Sequence, residues 1–126
     1  MSSPDLPVLT VLVVEDDAVL ADAIARLLER HRCRVLRVAD GQLARSRGET
    51  EEIDVVFCDY NLEGGETGLD VLRWFHHNRP HSNLWLVTGS LLEGQSEFDV
   101  IEKPCRFERF LDIINALRKR RTANGL

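Results

Sequence analysis

Two short apolar runs in this sequence end in carboxylates: Val11-Leu12-Val13-Val14 stops at Glu15-Asp16-Asp17, and Val55-Val56-Phe57-Cys58 stops at Asp59. Acids at the mouths of neighbouring strands repel one another, so either one of them holds a proton or a cation joins them. Hard oxygen donors select Mg²⁺, which takes one or two protein carboxylates, keeps several waters and leaves a position for a phosphate oxygen. Two later runs supply the complement. Leu84-Trp85-Leu86-Val87 ends in Thr88-Gly89-Ser90, and Val100-Ile101 leads through Glu102 to Lys103-Pro104. In such a cleft Asp59 can attack phosphorus to give an aspartyl phosphate. The Lys103 ammonium and the Thr88 hydroxyl can then meet phosphoryl oxygens. Lys103 and Lys119 are the two lysines among 16 basic residues, which suits a point-charge role for Lys103.

These side chains meet only if the runs are neighbouring parallel strands. Uniformly apolar, β-branched runs read as strands buried on both faces, and ligands of such sheets sit beyond the carboxyl ends of the strands. A first strand is expected over residues 8–14. A helix over 18–30 follows, capped by Asp17, with Val19, Leu20, Ala23, Ile24, Leu27 and Leu28 at helical spacing. Residues 34–38 alternate charged and apolar side chains, as a strand nearer the sheet edge does, and Asp40-Gly41 opens a shorter helix that runs through Arg47 and stops before Gly48. The third strand is residues 54–59. After it comes a turn-rich loop, Tyr60-Asn61-Leu62-Glu63-Gly64-Gly65-Glu66. The capping pattern Thr67-Gly68-Leu69-Asp70 then leads into a third helix through Val71-Leu72-Arg73-Trp74-Phe75. Strands over 83–88 and 99–102 follow, and a last helix over 107–120 carries Phe107, Phe110, Leu111, Ile114 and Leu117 on one face. Strands alternating with helices through short links predict right-handed crossovers, hence an α/β fold with a doubly wound, five-stranded parallel sheet and helices on both faces. One crossover is too short for the pattern. Between Thr88 and Asp99 lie ten residues, where a crossover with its helix takes at least about 10 to 12. Gly89, Ser90, Gly94 and Ser96 further disfavour a helix there, so the fourth helix is expected to be short or missing.

A chain of 126 residues is about one domain, with no room for an attached catalytic or DNA-binding domain. The expected division is a leader over 1–7, the domain over 8–121 and a tail over 122–126. The net charge of −5 argues against nucleic acid as a partner. The basic stretch Arg118-Lys119-Arg120-Arg121 lies where the last helix is expected to end and would complement the helix dipole. Three cysteines without close spacing make neither a disulfide framework nor a zinc site, which points to the reducing cytoplasm. Cys58 and Cys33 read as small core or surface residues. No apolar segment approaches the roughly 18 residues that span a bilayer. His76, His77 and His81 read as solvated, Trp74 and Phe75 as core, and Leu91-Leu92 as either packing or a docking patch.

In Val13-Val14-Glu15-Asp16-Asp17, Cys58-Asp59-Tyr60-Asn61-Leu62, Val87-Thr88-Gly89 and Lys103-Pro104, taken in that order, the chain resembles the receiver domain of two-component response regulators over nearly all its length. The resemblance implies a flavodoxin-like, CheY-like fold. It makes Asp59 the phosphoacceptor and one of the Mg²⁺ ligands, Asp16 a direct ligand, Glu15 a ligand acting largely through water, and the Asn61 backbone carbonyl the last protein ligand. It makes Thr88 the hydroxyl that moves toward the phosphoryl group, with Gly89 giving close access, and Lys103 the counter-charge. The Lys103-Pro104 bond is often cis in this family, a geometry open to X-Pro bonds. The implied reaction is transfer of a phosphoryl group from a phosphohistidine on a sensor histidine kinase or histidine phosphotransfer protein, followed by hydrolysis. The domain then catalyses its own modification rather than turnover of a separate substrate, and it signals to a downstream protein or relays the group. A cytoplasmic monomer or weak dimer, with no direct nucleic-acid or membrane contact, is expected.

Two features depart from the family pattern. Receivers usually carry an aromatic residue three places before the lysine, which rotates inward as the threonine moves; here that position is Val100. The loop after Asp59 carries an extra residue, with Glu63-Gly64-Gly65-Glu66 in place of a proline-containing turn. An aspartate-nucleophile phosphatase of the haloacid dehalogenase type uses similar residues. Its order differs, however, with a second acid two residues after the nucleophile, where this chain has Asn61. The alternative within the family is a degenerate receiver that acts as a phosphorylation-independent binding module.

Overall fold

The structure, a computed structural model, describes residues 7–89 and 97–123. Along the chain the elements are β1 (Leu9–Val14), α1 (Ala18–Glu29), β2 (Cys33–Val38), α2 (Gly41–Thr50), β3 (Val55–Asp59), α3 (Gly68–Asn78), β4 (Asn83–Thr88), β5 (Asp99–Glu102) and α4 (Phe107–Ala123). The strands form one sheet in the order β2-β1-β3-β4-β5, and every pair is parallel. The order reverses between β1 and β3, which opens a crevice at their carboxyl ends.

The apolar runs serve two cores at once, because successive side chains of a strand point to opposite faces. On one face Val11, Val13, Phe57, Val87 and Ile101 pack against Ile24 and Leu28 of α1 and Phe110 and Ile114 of α4. On the other, Leu12, Val14, Val56, Cys58 and Leu86 pack against Ala44 of α2 and Val71, Leu72 and Phe75 of α3. This double duty is why the central runs lack the apolar–polar alternation of a half-exposed strand. Phe57 and Phe110 meet edge to face, with ring centroids 4.9 Å apart, a favoured aromatic geometry.

The expected helix starts are present. Asp17 accepts from the backbone N–H groups of Val19 and Leu20 at 3.0 and 3.2 Å. At α3 the Thr67 hydroxyl accepts from Asp70 N–H, while Thr67 N–H donates to the Asp70 carboxylate, forming a reciprocal capping box. The expected end of α2 needs correction, since the helix passes through Gly48 to Thr50. A Cβ at the buried Gly48 would lie 2.7 Å from atoms of both the Trp74 and Phe75 rings. This glycine lets α2 close onto α3, and that contact outweighs its poor intrinsic helix propensity. The basic stretch near residue 120 also does more than complement a dipole. Arg118 is buried and donates to the Arg32 and Pro7 carbonyls at 2.8 and 3.1 Å, and Arg121 pairs with Asp54 at 2.7 Å. These contacts carry α4 on to Ala123.

Cys33 and Cys58 are buried, and His76, His77 and His81 are exposed. Phe75 is fully buried and Trp74 packs beside it. Four helices occur among the described residues. Residues 90–96, with the Leu91-Leu92 pair and most of the short crossover, lie outside the described residues, as do 1–6 and 124–126. No helix among the described residues is long and apolar enough to cross a membrane.

Candidate functional site

Parallel pairing brings the expected residues to one end of the sheet. Glu15 directly follows β1, and its N–H donates to Val38 O at 3.0 Å. Asp59 is the last residue of β3 and lies in register with Val87; the next N–H, of Tyr60, donates to Val87 O at 2.9 Å. Thr88 closes β4, and its carbonyl accepts from Lys103 N–H at 2.8 Å. Strand register, rather than local sequence, therefore sets the spacing of these side chains.

Within the crevice, one carboxylate oxygen from each of Glu15, Asp16 and Asp59 lies within 4.8 Å of the others. Glu15 and Asp59 are buried and Asp16 is exposed. Lys103 Nζ sits 3.3 Å from Glu15 Oε1 and 3.1 Å from Asp59 Oδ2. The other oxygen of Asp59, Oδ1, is buried and has no hydrogen-bond partner. Burial, helped by the neighbouring Asp59 charge, pushes the Glu15 carboxyl up to about 7, against the lowering effect of Asp17 N–H and Lys103. For Lys103 burial works against the charge, but hydrogen bonding and attraction to Asp59 and Glu15 outweigh it and raise the ammonium above its usual range. Two buried carboxylates thus share one ammonium, with the Asp16 carboxylate close by, a deficit of positive charge. A partnerless buried oxygen, hard donors only and one solvent-facing carboxylate together fit a hydrated divalent cation such as Mg²⁺.

Thr88 is buried beside this cluster at the end of β4. At Gly89 an added Cβ would make ordinary van der Waals contact with Lys103 Cβ at 3.8 Å. The Lys103-Pro104 bond is cis, as the family resemblance implies. Asn61 is exposed, two residues beyond Asp59, and forms an antiparallel bridge with Thr67 across the base of its loop. Val100 is partly buried and packs, with Phe98, against the α2 and α3 side of the sheet.

The sequence did not announce two further contacts. Gly68 N–H donates to Tyr60 O at 2.8 Å, and a Cβ at Gly68 would lie 2.2 Å from Asp59 O and 3.0 Å from Tyr60 Cα. These are backbone atoms with no rotamer to give. Gly68→Ala is therefore expected to destabilise the fold by about 2 kcal/mol, the scale of overpacking, and to shift the backbone of Asp59; urea unfolding measures the first effect. A midpoint equal to that of the unaltered protein would show that the contact is slack. The second contact is the ion pair of Arg45 on α2 with Glu66 in the loop after β3. Its one sequence signal is the four-residue spacing of Gly41 and Arg45, which share a helix face.

Comparison with known proteins agrees with this geometry. Residues 11–115 match the family model described as the response regulator receiver domain. The chain is 32% identical over 123 residues to the regulatory protein VirG of Agrobacterium fabrum; the match takes in 90% of this chain and 48% of that protein. The chain thus spans about half the length of this curated relative. A CheY-like receiver domain from Methylobacillus flagellatus superposes with a TM-score of 0.78 at 26% identity, covering 87% of this chain and 98% of that one. A CheY-like receiver domain protein from Methanospirillum hungatei gives 0.81 at 22% identity, covering 94% and 100%, a likeness of fold alone. Sheet order, carboxylate cleft and family match converge, and the chain belongs to the response regulator receiver domains of two-component signalling.

Proposed function

We propose that the domain accepts a phosphoryl group on Asp59 from a phosphohistidine donor, a sensor histidine kinase or a histidine phosphotransfer protein, and later loses it to water. One observation carries this reading: Asp59 lies buried beside Glu15 and Asp16, with Lys103 on one of its oxygens and no protein partner on the other. That is a nucleophile held by a counter-charge in a cleft short of positive charge. A carboxylate oxygen of Asp59 attacks phosphorus, the phosphorus–nitrogen bond to the donor imidazole breaks, and the imidazole nitrogen keeps the electron pair. In the second half, water attacks phosphorus, the phosphorus–oxygen bond to Asp59 breaks with the carboxylate keeping the electron pair, and inorganic phosphate departs as the water gives up a proton to solvent. Both steps are in-line displacements that need positioning and charge neutralisation more than covalent help.

Each residue has a part in this reading. Asp16, Asp59, the Asn61 carbonyl and, through water, Glu15 would hold the Mg²⁺, which neutralises charge on the transferring group when bound. Lys103 binds a phosphoryl oxygen, and the Thr88 hydroxyl donates to another. The donor and the downstream protein meet the domain at this end of the sheet or on the helices beside it.

Incubation with acetyl phosphate and Mg²⁺ tests the proposal. One base-labile phosphoryl group is expected, mapped by hydroxylamine cleavage and mass spectrometry to the peptide containing Asp59. If neither this donor nor a phosphohistidine donor labels the protein, the proposal falls and the binding-only reading takes its place.

A further inference from the structure

On the reading above, the loop from β3 to α3 offers the Asn61 carbonyl to the cation, yet it contains Gly64 and Gly65 at φ of +88° and +78°. These are the residues with most backbone freedom, placed where side chains are disfavoured. Near the base of the loop, Tyr60 N–H donates to Val87 O, Gly68 N–H to Tyr60 O, and Asn61 bridges Thr67. A further tie comes from α2. Arg45 places Nη1 on Glu66 Oε1 and Nη2 on Glu66 Oε2, the latter at 3.1 Å, in a two-pronged pair. One turn earlier on the same face, Gly41 is buried, and a Cβ there would lie 2.6 Å from Glu66 Oε1. Helix α2 therefore presents a notch at 41 and a fork at 45 that together receive one carboxylate. Both partners are mostly shielded, with side chains 28% exposed.

Resting on the Mg²⁺-dependent reading above, we infer that Arg45 and Glu66 are positioning residues for the cation site, fixing the loop that offers the Asn61 carbonyl. Neither belongs to the Glu15, Asp16 and Asp59 cluster. They act through the backbone they hold. Groups that orient ligands in this way typically cost 10- to 100-fold in metal affinity when removed.

A rival explanation is distant electrostatics, in which the Glu66 charge attracts the cation and the Arg45 charge repels it. The two accounts differ in sign at Arg45. Loss of repulsion predicts tighter Mg²⁺ binding by Arg45→Met, whereas loss of positioning predicts weaker binding. Calorimetric titration with MgCl₂ of the unaltered protein, Arg45→Met, Glu66→Gln, the double variant and Arg45→Lys separates them. Arg45→Met and Glu66→Gln are each expected to bind about 10-fold more weakly. The double variant should bind no more weakly than either single one, because both break one contact. Arg45→Lys should fall between, as it keeps the charge without the planar fork. Urea unfolding of each variant confirms that it is folded, and Glu66→Gln and Arg45→Lys keep the test alive if Arg45→Met is not. Unchanged or tighter binding by Arg45→Met overturns the inference, as do additive losses in the double variant. If the unaltered protein binds Mg²⁺ and is labelled on Asp59 while the variants bind equally well, this inference fails and the proposed function stands. If the unaltered protein binds no Mg²⁺ and accepts no phosphoryl group, the proposed function fails.

Discussion

Asp59→Asn is expected to abolish phosphoryl incorporation from acetyl phosphate and, at the same time, to make the domain more stable. The first effect follows from chemistry, because an amide lacks the nucleophilic oxygen that a carboxylate offers. The second follows from the cleft. Glu15 and Asp59 are both buried, both reach Lys103, and one Asp59 oxygen has no partner at all. The amide keeps the shape and can still accept from Lys103 while removing one of two like charges. Lys103 then serves Glu15 alone. The expected gain is about 1 kcal/mol in metal-free buffer, the size of roughly one pKa unit of relieved repulsion on Glu15, which Asp59 helps to raise. Urea midpoints measured with chelator present check it. Residual labelling in this variant would move the acceptor elsewhere, and a lower midpoint would show that the Asp59 charge is a net stabiliser of the fold.

Lys103→Ala is expected to slow phosphoryl acceptance by about 10²- to 10³-fold, the scale seen when one preorganised donor to a developing charge is removed. Its ammonium lies 3.1 Å from the Asp59 carboxylate and on the carboxyl-end side of β5, where it can follow charge onto an incoming phosphoryl oxygen. Mg²⁺ affinity should move the other way. Loss of the competing cation leaves three carboxylates for the metal alone, so the variant should bind Mg²⁺ at least as tightly as the unaltered protein. Initial rates at saturating Mg²⁺, paired with metal titrations, separate the two effects. Lys103→Arg is not expected to restore the rate, since a broad planar fork does not reproduce a compact charge set between two carboxylates. A rate within a few-fold of normal in Lys103→Ala would remove this residue from the reaction.

The central strands β1 and β3 were legible in the sequence because burial on both faces leaves apolar runs that end abruptly. The expected spans 83–88 and 99–102 coincide with β4 and β5. Glu15, Asp16, Asp59 and Lys103 were legible for the same reason, since whatever closes a strand of a parallel sheet arrives at the common edge. Gly48 misled because local propensity says stop while the rings of Trp74 and Phe75 require a residue without a side chain. Arg45 with Glu66, 21 residues apart, left only the Gly41 and Arg45 spacing as a local trace, and Arg118 with Pro7, 111 apart, left none. Each joins a helix to a loop or terminus through a contact that periodicity does not record. The departure at Val100 was visible only against the family resemblance, and the structure fills that place with packing against the α2 and α3 face.

The contact of Gly68 with the carbonyl of Asp59 has a mechanical side. No side chain lies between the Asp59 main chain and the first turn of α3, where the two backbones meet directly. The first turn of a helix of 11 residues, roughly 16 Å long at 1.5 Å per residue, is seated directly on the strand end that carries Asp59, so a displacement of that main chain would meet the helix with no rotamer between them.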